Sequence, residues 1–134
     1  MLDMKPQEQN PKLLSPLTLA FLGDAVYELC VRQRVVAEGN RPVNDMHRKA
    51  VKLVNAAAQS DAFERISGAL TEEELAVYKR GRNAHVHQVP KNATYAQYAR
   101  ATGLECLFGA LYLTGQLDRL NELFILTMEE SHAI

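Results

Sequence analysis

Apolar residues recur at helical spacing along most of the chain, in runs that short polar or glycine-containing breaks separate. The first run follows Ser15 and Pro16, a pair that favours a helix start because Ser caps free backbone amides and Pro suits the first helical position. It continues to about Ala37, before Gly39, and is apolar nearly all round. This pattern predicts a central, buried first helix.

Later capping signals predict four or five further helices. Pro42 precedes a second start near Asn44 or Asp45, and Asn55 suits the cap of a segment that runs to about Ile66. The other predicted helices run from Glu72 to about Ala84 behind a Thr71–Glu74 capping box, from Thr94 to about Thr114, and, after Gly115, from Gln116 to Glu130. No segment has a convincing strand pattern, so we expect an all-α helical bundle.

Size and charge limit the domain organisation and the function. The 134 residues, 47% of them apolar, suit one compact domain, and we expect a flexible leader over 1–14 and a single domain over 15–134. The formal net charge of −1 argues against coating nucleic acid by bulk charge, so RNA contact needs a local basic patch. No stretch reaches the roughly 20 apolar residues of a membrane helix, which predicts a soluble, cytoplasmic protein without membrane contact. Cys30 and Cys106 lack metal-ligand spacing and are expected to be reduced core residues.

Two lone acids stand inside apolar helical stretches, Asp24 in LAFLGDAVYEL and Glu105 in TGLECLFGALYL. An ionised carboxylate in an apolar interior is tolerated only when it is paired, hydrogen-bonded or bound to a metal. One interpretation is that each acid reaches the surface or pairs with an arginine such as Arg32 or Arg100. The other is that the two carboxylates share a site.

Glycines inside the same helices favour a shared site. Gly23, Gly103 and Gly109 each cost about 1 kcal/mol relative to alanine in a helix, which close packing of helices would explain. If the two helices cross there, Asp24 and Glu105 could bind one hard divalent cation such as Mg²⁺, with water as the remaining ligands.

Glu28 lies one helical turn after Asp24 and on roughly the same face. It could orient metal-bound water from the second coordination shell. It could equally be an exposed partner of Arg32, four residues further on, and we slightly favour that interpretation.

A basic region follows the helix that begins at Glu72. Between Leu75 and Leu104 there are five cations and no acid: Lys79, Arg80, Arg82, Lys91 and Arg100. Together with Asn83 they suit duplex RNA, which is bound mainly through phosphates, 2′-hydroxyls and shape, although a solvated helix end is the alternative. His85 and His87 fall in a predicted loop over 85–93 and are interpreted as ordinary loop residues, although they could bind phosphate or a metal.

Two segments resemble a known family. FLGDAVYEL resembles the ribonuclease III signature, in which Asp24 matches a metal-binding aspartate, and LECLFGALYL resembles the second acidic motif, in which Glu105 matches a metal-binding glutamate. The chain departs from that pattern at Ala20 and Thr102, where the family usually has acids. With KRGRNA at 79–84 and PKN at 90–92, the sequence is similar to the Mini-ribonuclease III family in particular.

The resemblance implies a ribonuclease III-like endonuclease domain without an appended double-stranded-RNA-binding domain. It implies a Mg²⁺-dependent homodimer whose two sites each cut one strand of double-stranded RNA and leave 5′-phosphate and 3′-hydroxyl ends. It also implies maturation of large-subunit (23S) ribosomal RNA precursor, with a large-subunit ribosomal protein as a further partner.

Two functions of other classes remain open from the residues. A non-catalytic RNA-binding or ribosome-assembly dimer would follow if the missing acids at Ala20 and Thr102 mean that the chemistry is lost. An ordinary helical interaction protein would explain the apolar helices through dimer burial. Retention of Asp24 and Glu105 in costly surroundings favours the enzyme.

Overall fold

The computed structural model describes residues 9–84, 89 and 91–129. In these ranges the chain forms six α-helices and two short 3-10 turns, without a strand. The helices are α1 (Pro16–Ala37), α2 (Val43–Leu53), α3 (Ala56–Ile66), α4 (Glu72–Arg82), α5 (Tyr95–Leu113) and α6 (Leu117–Met128), and the turns are Pro11–Leu13 and Ser67–Ala69. The prediction of an all-α fold is confirmed. None of the described helices is long and apolar enough to cross a lipid bilayer.

Local capping bonds set the beginnings of four helices where the sequence predicted them. The side chains of Ser15, Asn55, Thr71 and Thr94 each accept a hydrogen bond from the backbone amide three residues later. At Thr71 and Thr94 the bond is reciprocal, because the side chain three residues later accepts from the amide of the capping residue. Each bond satisfies an amide that a helix otherwise leaves unpaired at its start.

Other predicted bounds shift by one or two residues, as helix ends commonly do. α2 begins at Val43, because Pro42 itself takes the N-cap position. α4 ends at Arg82 and α6 at Met128, each two residues before the predicted end. Residues 1–8 of the predicted leader lie outside the described residues, and so do His85 and His87.

The central helix of the bundle is α5. It packs against α1, α3, α4 and α6, and most of its side chains from Ala99 to Leu111 are buried. The prediction that α1 is the central helix was wrong, because α1 has one exposed side. We call this side the α1 face; it carries Leu17, Phe21, Ala25, Leu29 and Val36.

α1 and α5 cross with their backbones in contact, as the helical glycines predicted. A methyl group at Gly23 would lie 1.6 Å from the Glu105 carbonyl oxygen, and one at Gly109 would lie 2.1 Å from the Leu19 carbonyl oxygen. Gly103 serves a second close contact, because a methyl group there would lie 2.6 Å from the ring of Tyr78 on α4. Glycine at these positions therefore sets the spacing of the helices around α5.

The core is completed by aromatic and sulfur side chains. Tyr27 packs edge-to-face on Phe108 and on Phe124, with ring centroids 5.1 and 5.7 Å apart. Cys106 is buried between α1 and α5 and Cys30 is half-buried; both are free thiols, as expected. Burial raises the pKa of Cys106 to about 11, so this thiol stays protonated and unreactive at neutral pH.

Candidate active site

The α1–α5 crossing brings Asp24 and Glu105 together. Asp24 is the residue after Gly23, and the Glu105 carbonyl is the group that Gly23 contacts. Burial, which is the largest cause, together with the hydrogen bond and negative charge of Asp24, raises the pKa of Glu105 to about 9. Two residues that are 81 positions apart in the sequence thus form one carboxylate pair.

The two acids differ in burial. Glu105 is half-buried, whereas Asp24 is exposed at the border of the α1 face, so the interpretation that the acids reach the surface holds for Asp24. The predicted arginine partners are engaged elsewhere, because Arg32 pairs with Glu28 at 3.1 Å and Arg100 pairs with Glu64 at 3.4 Å. Within the described ranges no ion pair neutralises Asp24 or Glu105.

The pair has the chemistry of a site for a hard divalent cation. Carboxylate oxygens are the ligands that Mg²⁺ prefers, and two of them with water suffice for a substrate-binding site. A cation between them would offset both the mutual repulsion and the burial that disfavour ionised Glu105. The described residues contain no group of three or more acids, histidines or cysteines that could hold a metal ion, so a metal here would rely on these two residues.

Ala20 and Thr102, where the family usually has acids, add no metal ligand to the Asp24–Glu105 pair. Ala20 is buried, with 6% of its surface exposed, and packs against Leu19, Cys106 and Ala110. Thr102 is also buried, and its hydroxyl donates to the Tyr98 carbonyl of its own helix at 3.0 Å. Neither side chain supplies a carboxylate or a free oxygen to the pair.

Glu28 forms the exposed pair with Arg32 that we favoured from the spacing. The Arg32 guanidinium donates to Glu28 Oε1 at 3.1 Å, and both side chains are well exposed. A surface pair of this kind contributes little to stability, so Glu28 can exchange this partner for another at low cost.

One neighbour of the pair was missed from the sequence. Gln59 on α3 is buried, and the nearness of its amide to the carboxyl group lowers the pKa of Glu105, opposing the effect of Asp24. The sequence did contain a signal for it, because Gln59, Ala62 and Ile66 are three and four residues apart and so lie on one side of α3, the buried side. A polar residue at such a position needs a polar partner.

The basic region divides into free and engaged side chains. Lys79, Asn83 and Lys91 are exposed, and Arg82 is half-exposed beside the ring of Tyr78. Arg80 instead donates to two backbone carbonyls before α1, at 2.7 Å to Leu14 and 3.4 Å to Pro11. Arg100 donates to the hydroxyl of Ser60 at 3.3 Å as well as to Glu64. Arg80 and Arg100 thus make contacts within the fold, and their RNA contacts remain a prediction.

Comparison with known proteins decides the family. The family model described as Ribonuclease III domain matches residues 17–116. A Mini-ribonuclease 3 of Symbiobacterium thermophilum is 52% identical over 113 residues, 84% of this chain and 87% of the relative. One of Thermoanaerobacter sp. is 46% identical over 116 residues, 87% of this chain and 82% of the relative. The chain belongs to the Mini-ribonuclease III family.

A solved structure shares the fold of this chain. The crystal structure of a Fusobacterium nucleatum protein matches with a TM-score of 0.76 at 32% identity, covering 85% of this chain and 91% of that chain. The prediction of a ribonuclease III-like domain is confirmed. As a Mini-ribonuclease III family member, the chain is an endoribonuclease, which favours the enzyme over the two non-catalytic alternatives.

Proposed function

We propose that the chain is a homodimeric, Mg²⁺-dependent endoribonuclease that hydrolyses phosphodiester bonds of double-stranded RNA and leaves 5′-phosphate and 3′-hydroxyl ends. The observation that carries the proposal is the Asp24–Glu105 pair at the α1–α5 crossing, which lacks a cationic partner in the described part of the chain. The Asp24 side chain is itself exposed, which leaves its carboxylate accessible to an RNA strand.

Asp24 and Glu105 would hold the metal. When bound, the cation supplies a water of lowered pKa and stabilises the negative charge that develops on the phosphate. The Asp24 carboxylate contributes oxygens from the solvent side, and Glu105 contributes them from the protein side. The close backbone contact at Gly23 holds the two helices at a fixed separation, which limits the geometries that the pair can adopt.

We assign the direct RNA contacts to Lys79, Arg82, Asn83 and Lys91. Lys79, Arg82 and Asn83 reach solvent at the end of α4, and Lys91 reaches solvent shortly before α5, where they can bind phosphates and 2′-hydroxyls of a duplex. Arg80 and Arg100 act indirectly in this proposal, because their guanidinium groups fix the segment before α1 and the position of α3.

The α1 face supports the homodimer. Phe21 is 84% exposed, and Leu17, Leu29 and Val36 extend the apolar surface along the same side of α1. A two-fold dimer buries such a face against its own copy and places two carboxylate pairs in one particle. Each pair would then cut one strand of the duplex.

The biological substrate in this proposal is the precursor of large-subunit (23S) ribosomal RNA in the cytoplasm, with a large-subunit ribosomal protein as partner. Support comes from the family resemblance of the two acidic motifs. Because RNA duplexes are bound largely by shape, the basic end of α4 suits a helical stem of such a precursor.

The proposal is tested by cleavage of an end-labelled RNA duplex, with Mg²⁺ or EDTA. We expect Asp24→Asn and Glu105→Gln each to lower kcat by about 100-fold or more while circular dichroism stays unchanged. Asp61→Asn is the matched control, since Asp61 is an exposed acid on α3 outside the site, and it should cut at the parental rate.

Additional variants and substrates in the same assay test the RNA contacts, the choice of substrate and the metal site separately. Lys79→Ala with Arg82→Ala should weaken duplex binding and reduce its salt dependence, while binding without any cutting by the parental protein would favour the non-catalytic dimer. Equal cutting of a 23S precursor stem and an arbitrary duplex would argue against the specific substrate. Parental cutting by Glu105→Gln would refute the metal site.

A further inference from the structure

A buried amide on α3 stands beside the carboxylate pair without a completed hydrogen bond. Only 4% of the surface of Gln59 is exposed, and its Nε2 group has no partner of hydrogen-bond geometry in the described ranges. Buried side-chain donors nearly always have a partner, and one that lacks it calls for an explanation. The position of Gln59 supplies one, because the side chain lies against Glu105.

Packing directs this amide toward the site. α3 lies against α5, and Gln59 is on the side of α3 that also buries Ala62 and Ile66. The next residue, Ser60, is equally buried but receives the guanidinium of Arg100 instead. Adjacent residues on one helix thus serve different partners on α5.

Three other polar side chains around Glu105 are committed elsewhere or bear the wrong charge. The Thr102 hydroxyl donates to the Tyr98 carbonyl. Arg100 is held by Ser60 and Glu64, and Asp24 repels the Glu105 carboxylate. Among the side chains that the structure describes, Gln59 and Tyr27 each bury a polar atom without a hydrogen-bond partner, and of these two only Gln59 offers an N–H group.

We propose that Gln59 is a positioning residue of the metal site. Its Nε2–H group donates to one oxygen of the Glu105 carboxylate and leaves the other oxygen directed to Asp24 and the cation. The amide thereby fixes the orientation of the Glu105 carboxylate. This inference rests on the proposed metal-dependent function.

The test measures metal affinity of the full chain directly, by titrating Mg²⁺ or Mn²⁺ alone and following heat or thermal unfolding. Gln59→Leu should bind the ion about 10- to 100-fold more weakly, as is usual when a side chain that orients a ligand is lost. Its Tm in EDTA should be no lower than the parental value, because without the ion an apolar side chain replaces an amide whose Nε2 group lacks a partner. Asp61→Asn, an exposed change on the same helix, should keep the parental Kd.

Kinetics give a second readout that a purely structural role would not produce. Gln59→Leu should lower kcat at limiting Mg²⁺ with an unchanged KM for duplex RNA, and excess Mg²⁺ should restore kcat. A lower kcat that excess Mg²⁺ does not restore, or a changed KM for duplex RNA, would contradict the positioning role.

A second variant keeps the site polar if Gln59→Leu fails to fold. Gln59→Glu places a third carboxylate beside the pair, so its Tm in EDTA should fall and Mg²⁺ should raise it more than in the parental protein. Unchanged Tm in EDTA would show that residue 59 does not face Glu105. If Gln59→Leu binds the ion with the parental Kd while Glu105→Gln no longer binds it, only the inference about Gln59 fails. If Glu105→Gln also binds the ion with the parental Kd, the proposed metal site fails.

Discussion

At the scale of single residues, the geometry of the site depends on an absent side chain. Gly23 lets the Glu105 backbone approach α1 to a distance that no other residue allows, and Asp24 follows directly in the chain. The separation of the two carboxylates is therefore coupled to the helix spacing. A change of one methyl group at Gly23 acts on the fold and on the site together.

We expect Gly23→Ala to destabilise the protein by about 3 kcal/mol or more, because its methyl group would lie 1.6 Å from a backbone oxygen, which cannot rotate away. Chemical denaturation with circular dichroism measures this change. Gly68→Ala is the control, since nothing lies within 4 Å of a methyl group there, and it should be neutral or slightly stabilising. Equal denaturation midpoints for Gly23→Ala and Gly68→Ala would contradict the close contact between Gly23 and the Glu105 backbone.

At the scale of helices, one side chain ties the start of α4 to α6. Glu74 accepts from the Thr71 amide at 2.9 Å in the capping box and from Arg119 Nε and Nη2 at 2.9 and 2.8 Å. Arg119 also donates to the Ala69 carbonyl at 2.7 Å. The sequence predicted the capping bond, whereas the ion pair with α6 became visible only in the folded chain.

The Glu74–Arg119 pair predicts a pH-dependent contribution to stability. The hydrogen bond from Arg119 lowers the pKa of Glu74 below its usual 4.5, although burial opposes this. Stabilisation is therefore present above about pH 4.5 and is lost as the pH falls through the lowered pKa. Glu74→Gln should cost about 2 to 3 kcal/mol at pH 7, and the gap to the parental protein should narrow in acid.

Urea titrations between pH 3 and 7 measure this gap. Glu122→Gln is the matched control, since Glu122 pairs with the same Arg119 at 2.7 Å but is 64% exposed. Glu122→Gln should lower the free energy of unfolding by less than about 1 kcal/mol. A Glu74→Gln gap that is constant with pH would show that the pair does not hold the carboxylate ionised.

At the scale of the whole molecule, the α1 face is an apolar surface that the bundle itself does not cover. Phe21, at 84% exposure, lies three residues before Asp24, so a partner seated on this face would border the carboxylate pair. Dimerisation and catalysis are thus expected to depend on each other.

Phe21→Ser should convert the proposed dimer to a monomer in sedimentation equilibrium at micromolar concentration, with unchanged helix content. Cleavage of duplex RNA should fall with the dimer fraction. Val51→Ser is the control, because Val51 is 66% exposed on α2, and it should leave mass and activity unchanged. A parental protein that sediments as a monomer and still cuts would remove the dimer from the proposal.

Much of this protein can be predicted from its sequence. The starts of α1, α3, α4 and α5 follow from Ser15, Asn55, Thr71 and Thr94, because a cap acts within three residues of itself. Asp24 and Glu105 stand out as acids in apolar helices, and the glycines beside them predict the crossing that joins them.

Tertiary structure decided which surfaces and which polar groups are free. The apolar pattern of α1 does not show whether each side of the helix packs inside its own bundle or stays open to another molecule. The exposure of Phe21 was therefore not predicted. Arg80 and Arg100 are cations like Lys79 until the fold brings carbonyl and hydroxyl acceptors 66 and 40 residues away against them. Gln59 meets Glu105 for the same reason. Hydrogen bonds within one helical turn are encoded locally, whereas contacts between helices depend on how the whole chain packs.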